Sequence, residues 1–249
     1  MAKYQGWRNF PTLQFREIIA ELEEAKEESK NLMIIADTGF GKSNALKAFM
    51  NNKSSAKHTY VFTLGDSYNL MTLLSHILSV FGLTVHDWKN AKFRSLHTIA
   101  DKLNEIADAG GKPLIILDEA ENARIPTLKA IKELYDAVFG KCGIVLIGTM
   151  QLINQLNKKA TGQSIPQLKR RFKAGTRYIT PFRKDKDMKV FFNEYIPDQP
   201  DIQDLLIEIC DNYGELHDYL HNFLQFCDKK GKTITVENFR LYHKIPNHK

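Results

Sequence analysis

Ala36-Asp37-Thr38-Gly39-Phe40-Gly41-Lys42-Ser43 is the stretch whose reading decides the fold. It follows an apolar run, Leu32-Met33-Ile34-Ile35, and leads into a helix-like segment, Asn44 to Met50. A strand, a glycine-containing loop, Lys-Ser and a helix are the context that a phosphate-binding loop requires. Backbone N–H groups of such a loop and of the helix N-terminus behind it converge on phosphate oxygens. Lys42 has the reach for β- and γ-phosphates, and the Ser43 hydroxyl can ligate Mg2+. The first glycine of the usual pattern is replaced by Ala36, while Gly39 and Gly41 stand where the backbone must wrap tightly. Ala36, Asp37, Thr38, Gly39, Phe40, Gly41, Lys42, Ser43 and Asn44 are therefore the expected nucleotide-contacting run.

A phosphate loop needs a metal-ordering acid on a neighbouring strand. Pro113-Leu114-Ile115-Ile116-Leu117-Asp118-Glu119-Ala120 supplies one. Four consecutive apolar residues read as a strand buried on both faces. Asp118 and Glu119 then sit at its carboxyl end, where open parallel sheets place their ligands. Asp118 is expected to hold the Mg2+ shell, and Glu119 to orient and activate a water for attack on the γ-phosphate. The adjacent carboxylates favour ATP over GTP chemistry, and no Asn-Lys-x-Asp guanine-reading motif occurs in the chain. A third strand, Gly143 to Gly148, ends at Thr149. On position alone, Thr149 either touches the γ-phosphate or its attacking water, or caps the helix that follows.

The chain has 249 residues, enough for one large or two small domains. Its hydrophobic content of 43% is that of a globular protein. No apolar run approaches the length of a membrane span, and the N-terminus lacks a signal-peptide core, so no membrane partner is expected. Cys142, Cys210 and Cys227 are scattered, which predicts reduced, packed thiols in a cytoplasmic protein.

Net charge is +6, and its distribution is uneven. Eleven Lys or Arg fall between Lys158 and Lys189, against two acids, Asp185 and Asp187. A smaller basic cluster is Lys89, Lys92 and Arg94, with Trp88 and Phe93 interleaved. Such runs serve either as solvated faces or as a footprint for a polyanion.

Along the chain, residues 12–30 read as an amphipathic helix, with Phe15, Ile18, Ile19 and Leu22 on one face. Five strands are expected at 32–36, 59–64, 114–118, 143–148 and 176–180. Helical patterns lie between them at 43–51, 69–81, 93–109, 125–139, 150–156 and 164–173. This alternation argues a parallel sheet covered by helices on both faces. After Pro181 only helical patterns remain, at 184–196, 201–211, 214–228 and 235–242. The expected domains are an α/β core over 1–181 and an all-helical domain over 182–249.

The phosphate loop, the Asp-Glu strand end, the polar end of the third strand, the basic helix and the helical tail together resemble an AAA+ ATPase. Within that superfamily the chain resembles the transposition target-selection group, which includes the phage Mu B protein, TnsC and ExeA-like relatives. The motifs are Ala36–Ser43, Leu114–Ala120, Val145–Thr149, Gln167–Phe172 and Gly214–Leu220. The resemblance implies an α/β class, AAA+ P-loop, three-layer α/β/α core with a five-stranded parallel sheet and a small all-helical lid. It implies ATP and Mg2+ as cofactors. Lys42 and Ser43 match Walker A, Asp118 and Glu119 match Walker B, and Thr149 matches sensor 1.

In Gln-Leu-Lys-Arg-Arg-Phe, Arg170 and Arg171 resemble the arginine finger that reaches the γ-phosphate bound by an adjacent subunit. His217 stands where the family usually carries the sensor 2 arginine, which implies slow hydrolysis. The resemblance further implies a homo-oligomer, a ring or helical filament, on double-stranded DNA, and a transposase that reads its ATP-bound state. Lys89, Lys92, Arg94 and Arg124 are the expected DNA contacts, made to phosphates without reading bases. With about ten residues before the first helix, such contacts are expected from the ATPase core itself. Two other classes stay open: an ATPase switch acting on protein partners without DNA, and, less well supported, a small-molecule kinase.

Overall fold

The structure is a computed structural model that describes residues 4–84, 90–157 and 166–246. Five strands form one sheet: β1 (Asn31–Ile35), β2 (Thr59–Thr63), β3 (Leu114–Asp118), β4 (Gly143–Gly148) and β5 (Thr176–Tyr178). Their order is β2-β3-β4-β1-β5, and every pairing is parallel. All residues of β3 and β4 are buried, as their unbroken apolar runs require.

Among the described residues, eight helices accompany the sheet in sequence: α1 (Leu13–Glu27), α2 (Lys42–Asn51), α3 (Lys53–Ala56), α4 (Leu70–Val80), α5 (Ala91–Asp108), α6 (Ile125–Ala137), α7 (Met150–Asn157) and α8 (Pro166–Lys173). A 3₁₀ turn spans Ala120–Asn122. Side chains alternate across a strand. Met33 and Ile35, Ile115 and Leu117, and Ile144 and Leu146 form one core with α4 to α8. The alternate residues Leu32, Ile34, Ile116, Val145 and Ile147 face the other way and are equally buried; Ile18 and Leu22 of α1 and Leu46 and Phe49 of α2 are buried as well, outside that first core. This is the three-layer α/β/α arrangement expected from the alternation.

Further along, the described residues form α9 (Lys184–Asp187), α10 (Lys189–Tyr195), α11 (Pro200–Ile209), α12 (Tyr213–Lys230) and α13 (Val236–His243). Their core includes Phe191, Phe192, Leu206, Leu220, Phe223 and Phe239, with Tyr4, Trp7 and Phe10 packed against it. The helix expected over 184–196 is two helices meeting at Met188, and α3 has no counterpart in the apolar periodicity because it is a four-residue turn capped by Asn52.

Two compact units emerge. One is Glu17–Asp37 with Ala45–Ile179 and holds the sheet. The other joins the chain up to Arg16, Thr38–Asn44 and the chain from Thr180 onward.

In the sheet unit, Lys26 in the last turn of α1 is buried. Its ammonium donates to Lys57 O, to Thr59 Oγ1 at 2.9 Å and to Lys112 O at 3.2 Å. These acceptors stand at the starts of β2 and β3, so one cation ties α1 to the amino edge of the sheet. Burial holds its pKa below the ordinary lysine value.

In the helical unit, Gln14 is fully buried. Its amide donates to Asp187 Oδ2 at 2.9 Å and to Thr180 O, and accepts from the Tyr213 hydroxyl at 2.7 Å. Both amide atoms of Gln14 are partnered, which offsets the cost of burying the side chain.

Burial is the leading cause that holds the imidazoles of His58, His221 and His243 below the usual value of 6.5. Each therefore binds a proton more readily in the unfolded chain than in the native one. Stability is then full above about pH 6.5 and is lost as pH falls through and below it. Thermal melts at about pH 7.5 and about pH 5.5 should show the lower Tm in acid, and His243→Gln should shrink that difference. An unchanged difference in the variant would contradict this assignment for His243.

Candidate nucleotide site

Parallel pairing brings the carboxyl ends of β1, β3 and β4 to one edge of the sheet. The register sets Ile35 beside Gly148 and Leu117 beside Leu146. The bond from Ala36 N to Gly148 O, 3.0 Å, continues the ladder one step beyond β1, into the first residue of the glycine loop. Thr149 follows Gly148 directly, and Asp118 closes β3 on the far side of β4. Ala36, Asp118, Glu119 and Thr149 therefore share this edge.

Asp118 is buried at 6% exposure, whereas Glu119 is exposed. The Glu119 N–H donates to Asp118 Oδ1 at 3.0 Å, which fixes that carboxylate against the strand end. Glu119 itself takes a left-handed conformation, φ 53° and ψ 42°. A non-glycine residue held there stores about 1–3 kcal/mol, the kind of local strain that collects at functional positions. Its side chain accepts from Asn122 Nδ2 at 3.3 Å, and the same amide donates to Leu64 O at 2.8 Å. Thr149 Oγ1 accepts from Gln151 N at 3.3 Å, so the hydroxyl sits over the start of α7. The helix-capping reading of Thr149 is thus realised.

The glycine loop turns through two left-handed glycines, Gly39 at φ 79° and Gly41 at φ 84°. A Cβ at Gly41 would meet nothing within 4 Å, so the hollow of the loop is open there. Lys42 and Ser43 open α2, and Ser43 and Asn44 are exposed. Open hollow, helix N-terminus, lysine and hydroxyl are the donor set a polyphosphate requires. Asp118, an oxygen ligand at a buried strand end, is the type of group that takes Mg2+.

Loop and helices meet within the helical unit. Gly39 lies against Asn212, and a Cβ there would fall inside contact distance of Asn212 Oδ1. Asn212 is the N-cap of α12: its Oδ1 accepts from Glu215 N at 2.9 Å, and its Nδ2 donates to Glu215 Oε1 at 2.9 Å. Phe40, nearly buried, packs on Phe182 with ring centroids 6.1 Å apart, and Phe182 meets Tyr213 edge-on at 4.7 Å. The aromatic chain runs on through Phe191 to Phe10 and Trp7.

His217 belongs to the far end of this cluster. Its ring stacks on His221 at 4.7 Å, meets Trp7 edge-on at 5.1 Å and pairs with Asp218 through Nδ1 at 3.0 Å. The imidazole is engaged on its own helix and with the N-terminal segment.

The two arginines of α8 differ. Arg171 makes a two-pronged pair with Asp136 of α6, 2.7 Å from Nε and 2.6 Å from a terminal nitrogen, and its guanidinium lies 5.5 Å from the centre of the Tyr135 ring. Arg170 is exposed and makes no ion pair among the described residues. Of the expected DNA contacts, Lys92 pairs with Glu133 at 3.0 Å and Arg124 donates to Asp66 O at 3.2 Å. Arg94 is exposed, and Lys89 lies outside the described residues. Three structural partners of the site escaped the motif reading: Asn122, Asn212 and Glu121, whose carboxylate accepts from Thr149 N. Asn212 carried a readable signal, the Asn-x-x-Glu spacing of a capping box.

A family model described as an AAA domain matches residues 25–156, more than half of the chain. No curated protein matches it. Solved structures similar to the chain include the Aeropyrum pernix ORC2 protein in its ADPNP–ADP complexes, at 15% identity and a TM-score of 0.63 over 93% of this chain. Cdc6p from Pyrobaculum aerophilum is similar at 13% identity and a TM-score of 0.64, also over 93%. The replication initiator DnaA bound to AMPPCP and single-stranded DNA is similar at 15% identity and a TM-score of 0.58 over 96%. The chain spans 66% of the length of each of the three. At these identities the likeness is one of fold.

Gly39→Ala combines a left-handed backbone with a collision at the cap of α12. A Cβ in that conformation costs about 1–2 kcal/mol, and loss of the cap about 1 kcal/mol more. Chemical denaturation should show a loss of about 2–3 kcal/mol for Gly39→Ala and about 1 kcal/mol for Asn212→Ala. Equal losses in the two variants would remove the loop's backbone from the argument.

Proposed function

The chain belongs to the AAA domain family, and on that premise we propose that it is an ATPase that assembles on double-stranded DNA when ATP is bound. The family implies nucleotide binding. Two observations carry the proposal: a glycine loop that turns through two left-handed glycines and ends in Lys42-Ser43, and, at a strand end, a buried Asp118 followed by a strained, exposed Glu119. In this reading the loop N–H groups and Lys42 bind the phosphates of ATP, and Ser43 and Asp118 hold Mg2+, which supplies charge neutralisation on the phosphates. Glu119 takes the proton of the attacking water, and Thr149 orients that water. His217 stands where the family resemblance expects an arginine, and its shorter side chain is engaged with Trp7, His221 and Asp218, which favours slow basal hydrolysis.

The finger is Arg170. Arg171 would have to abandon Asp136 and the Tyr135 ring to serve a second copy, whereas Arg170 is exposed on the same helix. A guanidinium supplied in trans makes hydrolysis depend on assembly, as a ring or helical filament. Duplex DNA would be gripped through phosphates, without base readout, by Arg94 and other exposed cations. The DnaA structure, with a nucleotide analogue and single-stranded DNA on the same fold, supports a nucleic-acid partner. A transposase is the partner proposed to read the ATP-bound state, on the motif resemblance alone.

A second reading, a switch acting on protein partners without DNA, is favoured by one observation. Lys92, Arg124, Arg171, Arg177 and Lys184 all spend their charge on acceptors within the chain.

Salt titration of duplex binding, with ATP and with ADP, separates the readings. The DNA reading expects affinity that appears with ATP and falls steeply with salt; the protein-switch reading expects little binding at any salt. Lys42→Ala should abolish nucleotide binding, and Glu119→Gln should hold the ATP-bound assembly on DNA. Arg170→Ala should lower hydrolysis by the assembled protein on the order of 10³-fold at unchanged Tm. Arg171→Ala should instead lower Tm, and the reverse pattern would assign the finger to Arg171.

A further inference from the structure

The geometry points to Glu121 as a positioning residue that locks the turn after Glu119 to Thr149, and so sets the spacing of the two groups that handle the attacking water. This rests on the ATPase reading above. Glu121 lies in the 3₁₀ turn Ala120–Asn122, two residues beyond Glu119. Its Oε1 accepts from the backbone N–H of Thr149 at 3.3 Å. Its Oε2 is buried, has no hydrogen-bond partner among the described residues and lies against the Cα of Gly148, where a Cβ would sit only 2.5 Å away. Gly148 has no positive φ, so the absence of a side chain, rather than backbone freedom, is what the carboxylate uses.

The same turn is tied on its other side. Asn122 Nδ2 reaches Leu64 O beyond β2, and Gln155 Nε2 of α7 donates to Ala123 O at 2.8 Å. The segment 119–123 is therefore a crossbar over the carboxyl ends of β2, β3 and β4, and Glu121 is its attachment to β4. Burying a carboxylate oxygen without a partner is unfavourable, more so than for a neutral group. Fold stability alone is no reason for Glu121 to be there, since an apolar residue would fill the space at lower cost. Fixing Thr149 relative to Glu119 is a reason, because a displacement of about 1 Å at a reacting group costs about 10²-fold in rate.

The test uses the full chain with MgATP, with and without duplex DNA. Glu121→Ala should lower kcat on the order of 10- to 100-fold with KM for ATP unchanged. Glu121→Gln keeps an acceptor for the Thr149 N–H and should restore most of the rate. Gly148→Ala should reproduce the loss, because the new methyl displaces the carboxylate. The double variant Gly148→Ala/Glu121→Ala should be no slower than either single one, since the collision is gone. Wild-type kcat in Glu121→Ala, or multiplying losses in the double variant, would overturn the proposal.

Hydrogen exchange at the Thr149 amide gives a readout that needs no hydrolysis. It should accelerate in Glu121→Ala and stay slow in Glu121→Gln. If the wild-type protein binds ATP without hydrolysing it, the ATPase reading fails, and exchange at Thr149 still decides whether Glu121 holds that residue. Unchanged exchange in folded Glu121→Ala would refute the clamp whatever the activity.

Discussion

β4 runs between β1 and β3, and all six of its residues are buried. That two-sided burial is the constraint from which the site follows. A strand with no solvated face cannot slip by one residue without driving its side chains into the wrong layer, so its register is firmly set. The register in turn decides that Gly148 stands beside Ile35, that the ladder reaches Ala36, and that Thr149 emerges next to the start of the glycine loop. β3, paired on the other flank, delivers Asp118 and Glu119 to the same edge. The chemistry-bearing groups need not find one another in the folded chain, because parallel pairing puts them side by side.

What could be read in the sequence was whatever is local and chemically uncommon. A glycine loop ending in Lys-Ser between an apolar run and a helix has few other uses, and four apolar residues before Asp118-Glu119 announce a buried strand. All five strands fall within two residues of their expected bounds at either end. The order β2-β3-β4-β1-β5 was not legible, because it depends on which runs pair, and runs such as Leu114–Leu117 and Gly143–Ile147 are interchangeable as apolar text. Glu121 was illegible for a related reason. Beside two carboxylates with an evident use, a third looks like surface charge until β4 supplies a glycine for it to lie against. The difference between a paired Arg171 and an exposed Arg170 also needed a partner from elsewhere in the chain, Asp136, thirty-five positions away.

Charge illustrates the same limit. The basic run from Lys158 to Lys189 looks like a footprint for a polyanion when counted as text. In the folded chain Arg171 answers Asp136, Arg177 answers Glu21 and Lys184 answers Asp211. Pairs of this kind are partly exposed and contribute little to stability, typically about 0–1 kcal/mol. They do lower the local potential that a run of eleven cations would otherwise present, because each carboxylate stands within 3.0 Å of its cation. A count of basic residues therefore overstates the field, and Arg170, unpaired among the described residues, carries more of it than the arithmetic assigns to any single position.

The helical unit solves a problem that its histidine poses. An arginine on α12 would report on phosphate by charge and reach. His217 is shorter and is turned into the stack with His221 and Trp7. What α12 offers the glycine loop is its first turn, where Asn212 Oδ1 accepts from Glu215 N and the Glu215 carboxylate accepts in return from the Asn212 side chain, with Asn212 resting on Gly39. A cap is a stiff object, since its side-chain oxygen is fixed by the backbone N–H it accepts. Gly39 is stiff as well, because φ of 79° can be exchanged for another conformation only by rebuilding the loop. Two rigid parts in direct contact transmit displacement better than a long side chain with several rotors. The shape of the phosphate loop and the position of the first turn of α12 are thereby one variable, with Phe40 on Phe182 as its second point of attachment.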